Sequence, residues 1–367
     1  MRAWPTLRLL LLVLPLWFSS SSHGQTEPGA IEPKDKEWPT ASPADVDIDP
    51  EPLARLISEL PAERKHGLHS LLIARRGQLV FEQYWNGHDR DTVQDARSAT
   101  KSITSLLLGI ALDRGLVGAV SDPLLPYLDD AYPDLAQSGT EKAGITLAHL
   151  LTMSSGLDCD DRDRKTKGQE DRMYRRRDWV RYFLELGVVH PPGEVGRYCT
   201  GGVVALGRVI AEASGLAIPE FARQHLFGPL GFRGERWSRF DRDRQTDTGG
   251  HLYLRPRDMA KIGQLVLQAG QWNGSQLVPA AWIERATQEH IRLDGGRPYG
   301  YLWWFAGLQV GARQHKVIFA SGNGGQLIYI VPDLELVVVF TGGNYNSPKA
   351  RLPFELLGKY VVPAVLE

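Results

Sequence analysis

The chain opens on a basic start, Arg2 and Arg8, then the apolar run Leu9 to Phe18, then small residues from Ser19 to Gly24. That order is the pattern of a secretory signal peptide, and about ten apolar residues fall well short of the roughly twenty a membrane span needs. Residues 1–24 are therefore expected to be a signal peptide, with the mature chain starting near Gln25 in a secreted or periplasmic location. From Gln25 to Pro52, six prolines stand among acidic residues without an apolar period. This predicts an extended linker or loosely attached arm over 25–52. No later segment is apolar enough to predict a membrane span.

Ordered patterning begins with a short helix expected over Leu53 to Leu60. Ser70 to Trp85 holds two strand-like runs around Arg75-Arg76-Gly77-Gln78, which predicts a hairpin with a glycine turn. From about Ala96 to Gly250 the period is helical, with candidate helices at 99–114, 147–153, 178–186, 201–214 and 218–226. Between them, Asp158 to Asp178 is dense in charge and poor in apolar residues, and reads as a solvated loop. Helical patterns at 257–268 and 279–288 precede strand patterns at 301–305, 317–320, 326–331 and 336–341, and a closing helix follows at about 351–361. Strands at both ends around a helical middle predict an α+β fold. One antiparallel β-sheet would be formed by the N- and C-terminal segments, flanked by helices. The sheet domain is expected from 53–95 and 251–367, with an inserted mainly helical domain over 96–250.

Composition narrows the function. Lys+Arg 42 against Asp+Glu 43 gives a formal net charge of -1 over 367 residues, so nucleic acid, which needs a dense cationic face, is not an expected partner. Two cysteines are too few for a disulfide scaffold or a multi-cysteine metal site. There is no His-Glu-x-x-His pair, the acidic runs 158–163 and 241–247 lack calcium-loop spacing, and 139–144 leads into Ile145 where a phosphate loop needs lysine. No serine stands in a Gly-x-Ser-x-Gly frame. Neither a metal nor an organic cofactor is expected.

What remains is Ser98-Ala99-Thr100-Lys101, at the start of an apolar helix. A spacing of three places the Ser98 hydroxyl and the Lys101 amine on one helix face, one turn apart. First-turn amides lack intrahelical partners, so the Ser98 N–H is expected to donate to an oxyanion. Burial is expected to push the Lys101 amine down, towards a base that takes the serine proton.

This motif resembles the first motif of the serine β-lactamase and penicillin-binding-protein superfamily. The likeness is to the class C β-lactamase-like branch, which includes D-Ala-D-Ala peptidases, carboxylesterases and 6-aminohexanoate-dimer hydrolases. Further stretches occur in the expected order. They are Leu150 to Leu157, then Pro192-Gly193-Glu194 leading to Tyr198-Cys199-Thr200-Gly201-Gly202, Arg257 to Ala260, Tyr299 to Trp304, and Gly322-Asn323-Gly324-Gly325-Gln326 before Val331-Pro332-Asp333. The resemblance implies a covalent acyl-transfer mechanism with Ser98 as nucleophile, Lys101 and Tyr198 as the proton relay, and the N–H groups of Ser98 and Asn323 as oxyanion donors. Thr200, Ser321 and Gly322 would contact substrate.

Two departures bear on substrate. Thr200 stands where the tyrosine motif usually ends in Asn or Ser, and Ala320 where the third motif has a cation before Ser321 and Gly322. Loss of that cation argues against a fast β-lactamase and for cleavage of an ester, small amide or small peptide. The alternatives are a penicillin-binding-like or catalytically reduced binding or regulatory protein, and a weak β-lactamase. Trp85, Trp237, Trp272, Trp303 and Trp304 read as core or sheet-face aromatics and are given no role. Cys159 follows the Met153-to-Leu157 turn and Cys199 adjoins Tyr198, so in an oxidising compartment the two are expected to form a disulfide.

Overall fold

The computed structural model describes residues 38–60, 66–136, 141–237, 245–293 and 295–366. The expected signal peptide and the arm as far as residue 37 lie outside them. Strand β1 (Leu68–Arg75) turns through Arg76 and Gly77, at φ 50° and 76°, into β2 (Gln78–Tyr84). Two consecutive left-handed residues match the twist of the strands, and glycine takes the second without steric cost. Along β1, Leu72 and Ala74 enter one apolar cluster, while Leu71 and Ile73 enter another. Side chains alternate between the faces of a strand, so this sheet must be covered on both.

Six more strands complete it: β3 (Ile291–Leu293), β4 (Arg297–Tyr299), β5 (Trp304–Val310), β6 (Arg313–Gly322), β7 (Gln326–Val331) and β8 (Leu336–Gly342). Among the described residues they form an eight-stranded antiparallel sheet in the order β2-β1-β8-β7-β6-β5-β4-β3. The N-terminal hairpin meets the C-terminal strands where Leu72 lies opposite Val339. β7 and β8 are buried along their whole length, as continuous apolar runs between two covered faces should be.

One face carries α1 (Pro50–Glu59) and the helical turns between 348 and 364, through Leu53, Leu56, Leu356 and Tyr360. The other carries α2 (Thr100–Asp113), α3 (Thr200–Ser214) and α4 (Pro256–Leu267), whose Met259, Ile262 and Leu265 share a cluster with Leu72 and Val339. The helical stretch between 96 and 250 thus shares its core with the sheet. Its two ends lie side by side, because Gln94 and Asp95 pair with Leu254 and Tyr253. Among the described residues no single helix is long and apolar enough to cross a membrane.

Three differences from the sequence reading have physical causes. The arm is not loose from residue 38 onward: Trp38, Val46 and Ile48 are buried, and the Trp38 indole N–H donates to the Gly77 carbonyl at 2.8 Å. Isolated apolar residues between prolines show no period, yet each fills a slot. The strand expected at 301–305 starts only at Trp304, because Leu302 is left-handed at φ 66° and Tyr301 N–H donates to the Ala286 carbonyl at 3.0 Å. β3 and β4, three residues each, are too short to leave a period.

Candidate active site

Ser98 sits in a single 3-10 turn, Arg97–Ala99, that feeds α2. Arg97 before it is left-handed at φ 51°, a conformation costly for a residue with a Cβ. Asp95 holds it there by accepting the Arg97 backbone N–H at 2.8 Å. The Arg97 guanidinium donates to His251 Nε2 at 2.9 Å, which leaves His251 Nδ1 to donate to Asp247 Oδ2 at 2.6 Å. This chain ties the Ser98 turn to the segment 247–251.

α2 is buried from Thr100 to Ala111, so its first turn points into the protein. Lys101 is 1% exposed, and its Nζ donates to Ser98 Oγ at 3.2 Å and to the Gly249 carbonyl at 2.6 Å. The expectation of a lowered lysine is corrected here. Burial does disfavour the ammonium, but the charges of Tyr198, Glu170, Asp161 and Asp247 outweigh it, and Lys101 is raised above its ordinary value. The spacing showed the lysine buried; it did not show the acids around it.

Tyr198 stands two residues before α3, with the Lys101 ammonium 5.0 Å and the Arg162 guanidinium 4.9 Å from its ring centre. The ring stacks on Trp304 at 5.8 Å, and Trp304 is a buried core aromatic, as the sequence reading expected. Cys159 and Cys199 are bonded to each other. The bond carries the loop after Cys159 to the start of α3, where the Asp161 N–H donates to the Tyr198 carbonyl at 2.8 Å. Asp161 Oδ2 in turn accepts the Thr200 backbone N–H and hydroxyl, each at 2.7 Å, and so caps the helix.

The Thr200 hydroxyl, expected to meet substrate, is directed at two carboxylates. Thr200 is fully buried, and the hydroxyl lies between Asp161 and Glu170 Oε2, the latter at 3.2 Å. The loop read as solvated also needs correction, since Asp161 and Glu170 face Lys101 electrostatically. No periodicity could signal this, because the contact depends on the path of the loop.

The strand end Ala320-Ser321-Gly322 runs against the turn that carries Ser98. A Cβ on Gly322 would lie 2.3 Å from the Ala96 carbonyl oxygen, so only glycine permits the approach. Ala320 is buried and supplies no cation; Ser321 and Gly322 are half-buried. Asn323, next in the chain, is fixed by side-chain hydrogen bonds with Asn346 at 2.7 and 2.9 Å. Ser98, Lys101 and Tyr198 are thus brought together, with residues 321–323 running past the Ser98 turn. Among the described residues no group of three or more His, Cys, Asp or Glu is placed to hold a metal ion.

Known proteins share this fold. A 6-aminohexanoate-dimer hydrolase of Paenarthrobacter ureafaciens is 22% identical over 331 residues, covering 82% of this chain and 79% of that one. The octameric penicillin-binding protein homologue of Pyrococcus abyssi superposes with a TM-score of 0.65 at 21% identity, covering 87% and 79%. A family VIII carboxylesterase gives 0.64 at 17% identity, covering 85% and 95%. The family model described as Beta-lactamase matches residues 53–356, and by that extent the chain belongs to the Beta-lactamase family.

Proposed function

We propose that this protein is an exported serine hydrolase that forms an acyl-enzyme on Ser98 and cleaves an ester or small amide. The observation that carries this reading is the buried Lys101 Nζ, 3.2 Å from Ser98 Oγ and beneath the Tyr198 ring. Lys101 Nζ donates to Ser98 Oγ and orients it, and the relay of Lys101 and Tyr198 takes the Ser98 proton. Ser98 Oγ bonds to the substrate carbonyl carbon, and the oxyanion lies between the N–H groups of Ser98 and Asn323. Tyr198 then gives its proton to the departing oxygen or nitrogen as that bond breaks. Water repeats the sequence on the acyl-enzyme and frees Ser98.

The substrate class follows from what borders Ser98. Ala320 supplies no cation and Thr200 is turned inward, which leaves poor recognition for a β-lactam carboxylate or an amide-rich peptide. The relatives include an aminohexanoate-dimer hydrolase and a carboxylesterase by name, both of which cut acyl bonds. The Cys159–Cys199 bond supports export, since such bonds persist in oxidising compartments. The test is hydrolysis of p-nitrophenyl acetate and butyrate by wild type and Ser98→Ala. Turnover lost in the variant is expected; equal background rates in both would refute the reading.

A further inference from the structure

We infer that the cleft between Lys167 and Gly187 is a second binding site, which takes a small anion bearing two or more phosphates. Its volume of about 940 Å³ is that of a small-molecule pocket. The walls carry Lys167, Arg172, Arg175, Arg176, Arg177 and Arg181 against two acids, Asp178 and Glu185. The whole chain has a formal net charge of -1, so no general excess of basic residues accounts for this concentration. None of the lining residues belongs to the Ser98 site.

Both acids are already engaged. Asp178 accepts the Arg181 backbone N–H at 2.9 Å and the Tyr132 hydroxyl at 3.1 Å. Glu185 lies 3.7 Å from Arg181, which also donates twice to Asp134, at 2.8 and 3.0 Å. Arg181 is thereby neutralised, and among the described residues the other five cations form no ion pair. Like charges gathered in one cleft repel, and an anion bound between them removes that cost.

The arginines stand on fixed backbone. Met173 and Trp179 are buried at the two ends of their turn, and the Arg176 N–H donates to the Met173 carbonyl at 2.8 Å. The Gln245 side chain accepts the Trp179 N–H at 2.8 Å and donates to the Arg177 carbonyl at 3.4 Å. The Arg172 guanidinium donates to the Arg164 carbonyl at 3.0 Å, which orients it without neutralising it. The Arg176 guanidinium lies 5.0 Å from the Tyr182 ring centre. A planar guanidinium meets a phosphate with two parallel N–H donors. Five cations match an anion of several charges, which a diphosphate or triphosphate carries and a single carboxylate does not.

Binding needs no turnover, so it is measured by calorimetry with inorganic triphosphate at low salt. The proteins are wild type, Ser98→Ala, Arg175→Gln with Arg177→Gln, and Arg55→Gln with Arg114→Gln. The last pair removes the same charge at exposed positions outside the cleft. One saturable site is expected in wild type and Ser98→Ala. The cleft variant should bind at least about tenfold more weakly, and the control within about twofold of wild type. Triphosphate should raise the melting temperature of wild type but not of the cleft variant, whose own cooperative melt shows that it is folded. No saturable binding to wild type, or equal weakening in the control, would overturn the inference. Loss of binding in Ser98→Ala would do the same, by placing the anion at the catalytic site. Capture by phosphatidylglycerol vesicles without triphosphate binding would replace the small-anion site with a lipid-headgroup surface.

Discussion

Asp161 accepts both the backbone N–H and the hydroxyl of Thr200, each at 2.7 Å. A loop carboxylate therefore caps α3 and satisfies a buried side chain in one contact. Thr200→Val keeps the volume and removes the hydroxyl, leaving the carboxylate one donor short. The expected cost is about 1–3 kcal/mol, read as a lower urea midpoint with an unchanged slope. A midpoint equal to wild type would show that the hydroxyl contact is idle.

The same carboxylate gives stability a pH dependence of known sign. Burial, then the charge of Glu170, push Asp161 up to about 7 from an ordinary 3.8, against Lys101 and the Thr200 hydrogen bonds. The folded protein thus holds a proton that the unfolded chain releases. Its stabilisation is complete below the ordinary value and is lost as pH rises through about 7. The ceiling is on the order of 4 kcal/mol, from about three units at 1.36 kcal/mol each. Between pH 4 and 8 the melting temperature of wild type should fall relative to that of Asp161→Asn. Parallel melting curves for the two across that range would contradict it.

The disulfide closes a separation of 40 residues. In the chain-entropy account such a loop is worth roughly 4 kcal/mol, and removing a native bond costs about 2–5 kcal/mol. Cys159→Ala with Cys199→Ala should lower the melting temperature by several degrees or more, and thiol titration of unfolded, unreduced wild type should find no free thiol. Two titratable thiols per chain would refute the bond.

Asp95 and the left-handed Arg97 make a prediction about rate that is separate from stability. Asp95→Ala removes the acceptor that holds Arg97 at φ 51°, so Ser98 should lose its alignment with Lys101. Ser98 acylation is expected to slow by about tenfold to a hundredfold, with rescue in Asp95→Asn, which keeps an acceptor oxygen. An Asp95→Ala protein acylated at the wild-type rate would show that the turn holds itself.

Much of this was legible from local pattern, and what was not depended on distant approach. The Gly77 hairpin, α2 and α3 follow from runs of seven or more residues whose own pattern decides them. Ser98 and Lys101 share a face because of a spacing of three, which no tertiary contact alters. Asp161, Glu170 and Asp247 lie about 60 to 146 positions from Lys101 in the chain, in segments whose composition reads as surface loop. The disulfide, the Asp161 contacts with Tyr198 and Thr200, and the Arg97–His251–Asp247 chain bring them in. The direction of the Lys101 shift was misread for that reason: burial acts on the residue alone, whereas the opposing charges belong to its neighbours.

The central claim is that Ser98 is a nucleophile activated by Lys101 and Tyr198. It is tested most directly by reacting the protein with a fluorophosphonate probe and mapping the adduct by mass spectrometry. The account predicts one adduct, on Ser98, absent in Ser98→Ala and formed at least about a hundredfold more slowly in Lys101→Met and Tyr198→Phe, because the three act as a unit. An adduct on another residue, or no adduct on folded wild-type protein, would contradict it.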